Sequence, residues 1–293
     1  MSDVTTTPPP TRAAPAPDIT SDSGVSSDNE GTFRIGRGSG LALGVAMVWF
    51  SLLVMIPLIA VVVTGTEGGW SAFWRAIRNE QTFAAIRLTV GSALIVTLVN
   101  VVMGTLIAWV LVRDDFVGKR VLDTLIDIPF ALPTIVAGLV LLSLYGPQTP
   151  IGIDIANTRK AVLLAFLFVT LPFVVRAVQP VLEQLDREAE QAAASLGASN
   201  FTIFRRITLP ALTPAIAAGA ALSFARGVSE YGSLVLLSGN RPLRTEVTSV
   251  RILASIENDN RVGAAAVATV LLAISFVVIV TIDILQRRVA RRG

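Results

Sequence analysis

The sequence predicts an all-α protein that crosses a membrane six times. Three observations carry that prediction. Hydrophobic residues make up 53% of the chain and charged residues 15%, against roughly a quarter charged in soluble domains, and mean hydropathy is +0.68. Several apolar runs exceed the ~20 residues that a helix needs to cross a ~30 Å hydrocarbon core. The alternating ten-residue segments of a membrane barrel are missing.

Each element follows in order. Residues 1–37 begin MSDVTTTPPPTRAAPAPDITSDSG, a Pro-, Ser-, Thr- and Asp-rich stretch with too little apolar surface to fold, and are expected to form a disordered cytoplasmic tail. They lack the basic start and apolar middle of a cleaved signal peptide. Residues 38–293 form the membrane domain. Its spans are expected at about 41–64, 83–112, 121–145, 161–181, 211–237 and 262–285. Between the first two, WSAFWRAIRN (70–79) reads as an interfacial helix with Trp70 and Trp74 at headgroup level. Between the last two, EVTSVRILASI has helical spacing inside a loop too polar to span. No internal repeat is visible.

Lys and Arg near span ends set the orientation. Arg34, Arg37, Arg113, Lys119, Arg120, Arg187, Arg205, Arg206 and the final QRRVARRG lie on one side. Arg75, Arg78, Arg159, Lys160, Arg241, Arg244, Arg251 and Arg261 lie on the other. The first set is the larger, so both termini face the cytoplasm, and so does the loop between spans four and five. The small net charge of +3 is an orientation signal and not a nucleic-acid footprint. With no cysteine and no histidine, the chain lacks the commonest metal ligands and the commonest general base. Neither a metal site nor catalytic residues are expected.

The loop at about 183–210 overlaps the stretch EQAAASLGASNFTIFRRITLPAL (190–212). Glu183 to Leu196 reads as a helix, Gly197 as its left-handed terminator, and Phe201, Ile203, Phe204 and Ile207 as a second short amphipathic segment. Pro210 suits the first turn of the next span. Ala192, Ala193 and Ala194 let another backbone approach, so this cytoplasmic elbow reads as a docking knob. Its spacing resembles the EAA loop of bacterial ABC importer permeases, EAA-x3-G-x9-I-x-LP. Ala192, Ala193, Gly197, Ile207, Leu209 and Pro210 sit at the matching offsets. Gln191 occupies the glutamate position and Glu190 is its neighbour, turned about 100° around the helix. The charged contact to the ATPase is therefore in question, and the packing contact is not.

Three further stretches, LIDIPFALPTIVAGLVLLSLYG (125–146), PFVVRAVQPVLEQLD (172–186) and SFARGVSEYGSLVLLSGN (223–240), resemble the T-type subunit of sulfate/thiosulfate permeases. Ser229 stands where many relatives have the glycine of GEYG; Glu230, Tyr231 and Gly232 are kept. The resemblance covers roughly residues 40–287. It implies the type I ABC importer permease fold in a bacterial cytoplasmic membrane. It also implies an ATPase dimer that binds ATP and Mg²⁺, a second, W-type permease subunit and an extracytoplasmic sulfate-binding protein. No P-loop of the form GxxxxGK[ST] occurs in the chain, so no nucleotide cofactor is expected on it.

Ionisable groups inside spans are pathway candidates. Arg176 and Arg226 lie about 22 Å into spans four and five at 1.5 Å per residue, and arginine offers a fork of donors to an oxyanion. Arg176, Arg226, Glu230 and Tyr231 form the candidate anion path. Glu230 could equally neutralise Arg226 four residues away, and Arg176 could snorkel. Asp123, Asp127 and Asp283 read as capping or snorkelling groups, and Asn100 as an interhelical hydrogen bond. Pro133 and Pro172 are candidate gate or kink positions. The rival readings are a molybdate or tungstate permease, an ion-coupled secondary transporter and a membrane enzyme. The first differs in its cargo and permease pairing; the other two would need inverted repeats or a catalytic cluster.

Overall fold

A computed structural model describes residues 37–290. Residues 1–36 of the expected tail, with Arg34, and the residues Arg291 and Arg292 lie outside that range; Arg37, expected as the end of the tail, opens a helix. The chain falls into two compact units, divided after Ser51. The first holds α1 (Arg37–Phe50), an apolar helix with no charge beyond Arg37. A π-helical turn, Ser51–Met55, is followed by α2 (Ile56–Thr66).

The second unit continues with α3 (Gly69–Arg78), α4 (Glu80–Arg113), α5 (Lys119–Ala131), α6 (Thr134–Tyr145) and α7 (Arg159–Gln184). After these come α8 (Arg187–Ser195), α9 (Asn200–Ile203), a π turn at Phe204–Thr208, α10 (Leu209–Val228), α11 (Gly232–Leu237), α12 (Thr248–Glu257) and α13 (Arg261–Ala290). Every regular element among the described residues is helical. Five stretches are long and apolar enough to cross a membrane alone: Gly40–Thr66, Glu80–Arg113, Arg159–Gln184, Asn200–Val228 and Arg261–Arg288. The bent pair α5 and α6 makes a sixth if counted as one span.

The trunk of the second unit is α4, α7 and α10. Asn79 starts α4, its Oδ1 accepting from the backbone N–H of Gln81 at 3.1 Å and Thr82 at 3.3 Å, which satisfies two of the free donors at a helix start. At 34 residues α4 is about 51 Å long, so its ends project beyond the hydrocarbon. Thr158 caps α7 through Ala161 N–H at 3.3 Å. The three helices approach closely because two glycines flank Val174. A Cβ on Gly104 would sit 2.8 Å from Val174 Cβ, and one on Gly219 would sit 2.9 Å from Val174 Cα. Both distances are shorter than packed carbon atoms allow. Small residues at such crossings replace the hydrophobic drive that lipid cannot supply.

Asn100 is fully buried at the centre of this trunk. Its Nδ2 donates to Thr170 Oγ1 at 2.7 Å and to Ser223 Oγ at 3.2 Å, tying α4 to α7 and α10, as its position within span two suggests. Asn100→Ala is expected to cost about 1 kcal/mol, because the chain opened within a membrane finds other partners for these groups. A thermal unfolding series on the detergent-solubilised protein checks it, and a loss above 4 kcal/mol would contradict that value.

The expected third span is not one straight helix. Its two halves, α5 and α6, meet at 118°. Leu132 is extended at φ −86° and ψ 134°, and Pro133 heads α6 at φ −55° and ψ 135°. Proline has no N–H to continue the ladder and biases the residue before it towards extended backbone. The expected fifth span also stops early. α10 ends at Val228, and the polar run Ser229–Glu230 breaks the chain before α11. Buried Glu230 accepts at Oε1 from Ser233 N–H and Ser233 Oγ–H, both at 2.8 Å, so the break is satisfied from within. α11 then packs against α6: a Cβ on Gly138 would meet the backbone of Ser233 at 2.7 Å, and one on Gly232 would meet Ile135 N at 2.8 Å.

Outside the trunk, α3 and α12 form where helical spacing predicts them. α3 buries Phe73 and Ile77 while Trp70 and Trp74 remain exposed; Trp70 stacks on Phe73, and Trp74 meets both rings edge-on.

Candidate functional site: the elbow and the charged pairs

The elbow is built by caps and one left-handed residue. Glu183 belongs to α7, and the chain breaks at Leu185 and Asp186, so the elbow helix is shorter than the expected 183–196. Asp186 Oδ1 accepts from Glu188 N–H at 2.8 Å and starts α8. Gly197 terminates it at φ +86°, with its N–H donating to Ala194 O at 2.9 Å and Ala198 N–H donating to Ala193 O at 3.0 Å. That backbone geometry costs a residue with a Cβ about 1–2 kcal/mol. Ser199 caps α9, the π turn follows, and Leu209 and Pro210 open α10.

The two carboxamide and carboxylate neighbours divide the work. Glu190 turns inward: its Oε1 accepts from Arg113 Nη2 at 2.7 Å and from Thr208 Oγ1 at 2.8 Å. One side chain thus fastens α8 to the end of α4 and to the turn before α10. Arg113 also lies over the Trp109 ring at 5.3 Å, and Trp109 meets Phe204 edge-on at 5.5 Å. Gln191 points outward and is exposed, as is Ala192; Ala193 is half-buried. Ile207 and Leu209 are half-buried and Pro210 is exposed. Two large apolar side chains are presented bare, Leu196 at 89% exposure and Phe201 at 70%. Nothing local in the sequence brings Arg113 and Trp109 to the elbow: the Arg113–Glu190 contact spans 77 residues, and Trp109 joins through Phe204.

The charged pathway candidates are paired among themselves. Arg176 on α7 donates through Nε and Nη2 to the two oxygens of Asp127 at 2.8 and 2.7 Å, a bidentate pair. Its Nη1 donates to Asp123 Oδ1 at 2.7 Å and Gln179 Oε1 at 2.6 Å. Asp123 and Asp127 therefore neither cap nor snorkel; they clasp α5 to α7, beside an edge-on contact of Phe130 and Phe173 at 4.9 Å. With all three guanidinium nitrogens engaged, an anion at Arg176 would have to displace two carboxylates. Arg226 Nη2 lies 2.7 Å from Glu230 Oε2. Glu230 Oε2 has no hydrogen bond of proper direction, so this contact is charge against charge across a fully buried carboxylate. Arg176 pairs across to α5, whereas Arg226 pairs within its own stretch of chain. Tyr231 stands half-exposed at the break before α11. Pro133 sits at the 118° joint, whereas Pro172 is buried within a continuous α7.

Apolar helices long enough to cross a membrane, joined to one braced polar elbow, define a multi-pass membrane protein. The chain belongs to the family described as binding-protein-dependent transport system inner membrane component, whose model matches residues 100–292. It is 40% identical over 266 residues to the sulfate transport system permease protein CysT of Salmonella typhimurium, covering 88% of this chain and 96% of that one. The same figures hold for the protein of that name from Escherichia coli K12. A probable sulfate transport system permease protein of Nephroselmis olivacea is 42% identical over 252 residues, covering 84% and 89%. Among solved structures, a bacterial alginate ABC transporter chain matches with a TM-score of 0.71 at 18% identity, covering 86% of this chain and 94% of that one. That likeness concerns the fold.

Proposed function

We propose that the chain is the T-type permease subunit of an ATP-driven importer that carries sulfate or thiosulfate into the cytoplasm. The observation that carries the reading is 40% identity to sulfate permeases across almost the whole length of both chains. It resides in a bacterial cytoplasmic membrane with both termini inside. A pair of ATPase subunits holds ATP and Mg²⁺, a second W-type permease completes the translocation path, and an extracytoplasmic sulfate-binding protein delivers the anion.

The elbow supports this reading physically. Leu196 and Phe201 offer bare apolar surface that a docked partner would cover, and the Glu190 clasp fastens their mount to α4 and to the turn before α10. ATPase closure pushes the elbow, and the push passes through Arg113 into α4 and through Thr208 into α10. Rigid-body rocking of the two permeases then alternates access. Replacing Gly197 with valine, which resists φ +86°, is expected to uncouple ATP hydrolysis from uptake while leaving the protein membrane-inserted. Uptake at the wild-type rate in that variant would count against the coupling role.

The test of cargo is direct. The chain is purified with its partners, reconstituted with the binding protein, and supplied with labelled sulfate or labelled molybdate. Sulfate accumulation that depends on ATP, with a distinct second permease in the complex, is expected. Preference for molybdate in a complex holding two copies of this chain would replace the reading.

A further inference from the structure

At the end of the molecule opposite the elbow, a cavity of about 300 Å³ opens between α3, α12 and the starts of α4 and α13. Its polar lining comes mainly from Arg75, Asn79, Arg251, Ser255 and Asn260. No carboxylate lines it, and neither arginine has one within 4.0 Å among the described residues. The nearby acid Asp259 lies 4.0 Å from Arg261. Arg251 is the telling residue. It is only partly exposed, its Nε is shut off from solvent, and that nitrogen has no acceptor. A half-buried guanidinium without an acceptor is costly unless something outside the chain supplies one.

The other polar lining groups add donors and no negative charge. Asn79 Oδ1 is spent on the N–H groups that start α4, and Asn260 Oδ1 on Gly263 N–H at 2.9 Å at the start of α13. The free ends of both amides are therefore NH₂ donors. Both helices are long, and both bring the positive ends of their dipoles to this cavity. Ser255 donates its hydroxyl to Arg251 O at 2.9 Å, leaving its oxygen as a weak acceptor. Two guanidinium groups, two amide donors and two helix starts around one void form a receptor for a tetrahedral oxyanion.

The wall tells which oxyanion. Ala72, Ala76, Val262 and Val267 give the cavity an apolar side. α3, which supplies Arg75, carries exposed Trp70 and Trp74, with Arg78 lying 5.4 Å over the Trp74 ring. Exposed tryptophans on an amphipathic helix mark the headgroup level of a bilayer. We infer that this cavity holds the phosphodiester of a phospholipid from the outer leaflet, with Arg75 and Arg251 on the phosphate and the apolar wall against the glycerol and first methylenes.

The test uses the chain in its purified membrane complex. Wild type is passed through nanodiscs containing phosphatidylglycerol, exchanged into detergent, and examined for retained phospholipid by native mass spectrometry. One bound phospholipid per chain is expected. The Arg75→Gln/Arg251→Gln pair is expected to retain about tenfold less, the loss typical of charged hydrogen bonds to an anion. Asn260→Ser keeps the cap on α13 and removes one donor, so it is expected to fall in between; complex assembly is checked for every variant by co-purification. A second arm offers inorganic sulfate and inorganic phosphate to lipid-free complex. Equal lipid retention in wild type and the double variant overturns the proposal. So does saturation of the cavity by either free ion without lipid, as does a double variant that keeps its lipid but loses affinity for the binding protein.

Discussion

Glu190→Ala is expected to abolish coupled uptake while Gln191→Ala barely changes it. The Glu190 and Arg113 side chains are 17% and 12% exposed, so the pair is largely out of water. Removing the carboxylate leaves Arg113 charged at a site where its Nε already lacks an acceptor, and strips Thr208 of its partner. Breaking such a pair from one side costs about 3–5 kcal/mol; the residual solvent contact places this one near 3. The elbow stays attached by its backbone but no longer moves α4 and α10 with it. Glu190→Gln keeps an acceptor and loses the charge, so it should retain part of the uptake. Gln191 projects into solvent, and exposed substitutions of this kind usually lie within about 0.5 kcal/mol. Uptake and ATP hydrolysis measured side by side on the reconstituted importer decide the matter. A Gln191→Ala effect as large as that of Glu190→Ala would mean that the exposed amide, and not the clasp, transmits the motion.

The second large effect is expected at Arg226→Ala. Glu230 is 1% exposed and holds the cap of α11 through Ser233. Without Arg226 it must either stay charged and unpaired or take up a proton, and each route costs about 3–5 kcal/mol. The loss should appear as a lowered unfolding temperature of the purified protein at neutral pH. Arg226→Lys keeps a charge on a shorter, less directed group and should lose less. The double change Arg226→Ala/Glu230→Gln should recover part of the loss, since it removes the unpaired charge and leaves the Ser233 contacts possible. The measurement separates two roles for this arginine. A variant that unfolds at the wild-type temperature and fails only in sulfate affinity would make Arg226 an anion contact and not a structural partner of Glu230.

Hydropathy located nearly all of the membrane-crossing mass, because apolar runs of span length have few other uses. It could not see direction. Residues 121–145 are as greasy as a straight span, yet Leu132 and Pro133 turn the helix through 118°; only the proline hinted at it, and many prolines, including Pro172, leave their helix continuous. Ser229 and Glu230 likewise looked like a polar pair on one long helix. Their break depends on Glu230 finding Ser233 in α11, a contact made only once the chain has bent. Most of the elbow is legible because its signals are local, namely helix formers, a glycine and a proline; the break at Leu185–Asp186, with Asp186 as the cap of α8, is not. The pairing of Arg176 with Asp123 and Asp127 crosses 49 to 53 residues, and no spacing rule reaches that far. Local spacing puts Glu190 out of register with its family position, but the Arg113 side chain it meets lies 77 residues away, beyond any spacing rule.

The glycine-lined contact of α6 with α11 constrains how the trunk can move. Gly138 and Gly232 give each short helix a backbone seat on the other, so neither can slide without opening a void that lipid or water must fill. The two therefore travel as one block slung between two knuckles, one at Leu132–Pro133 and the other at Ser229–Tyr231. Bending at one knuckle obliges bending at the other, and a locked joint at either end would freeze both.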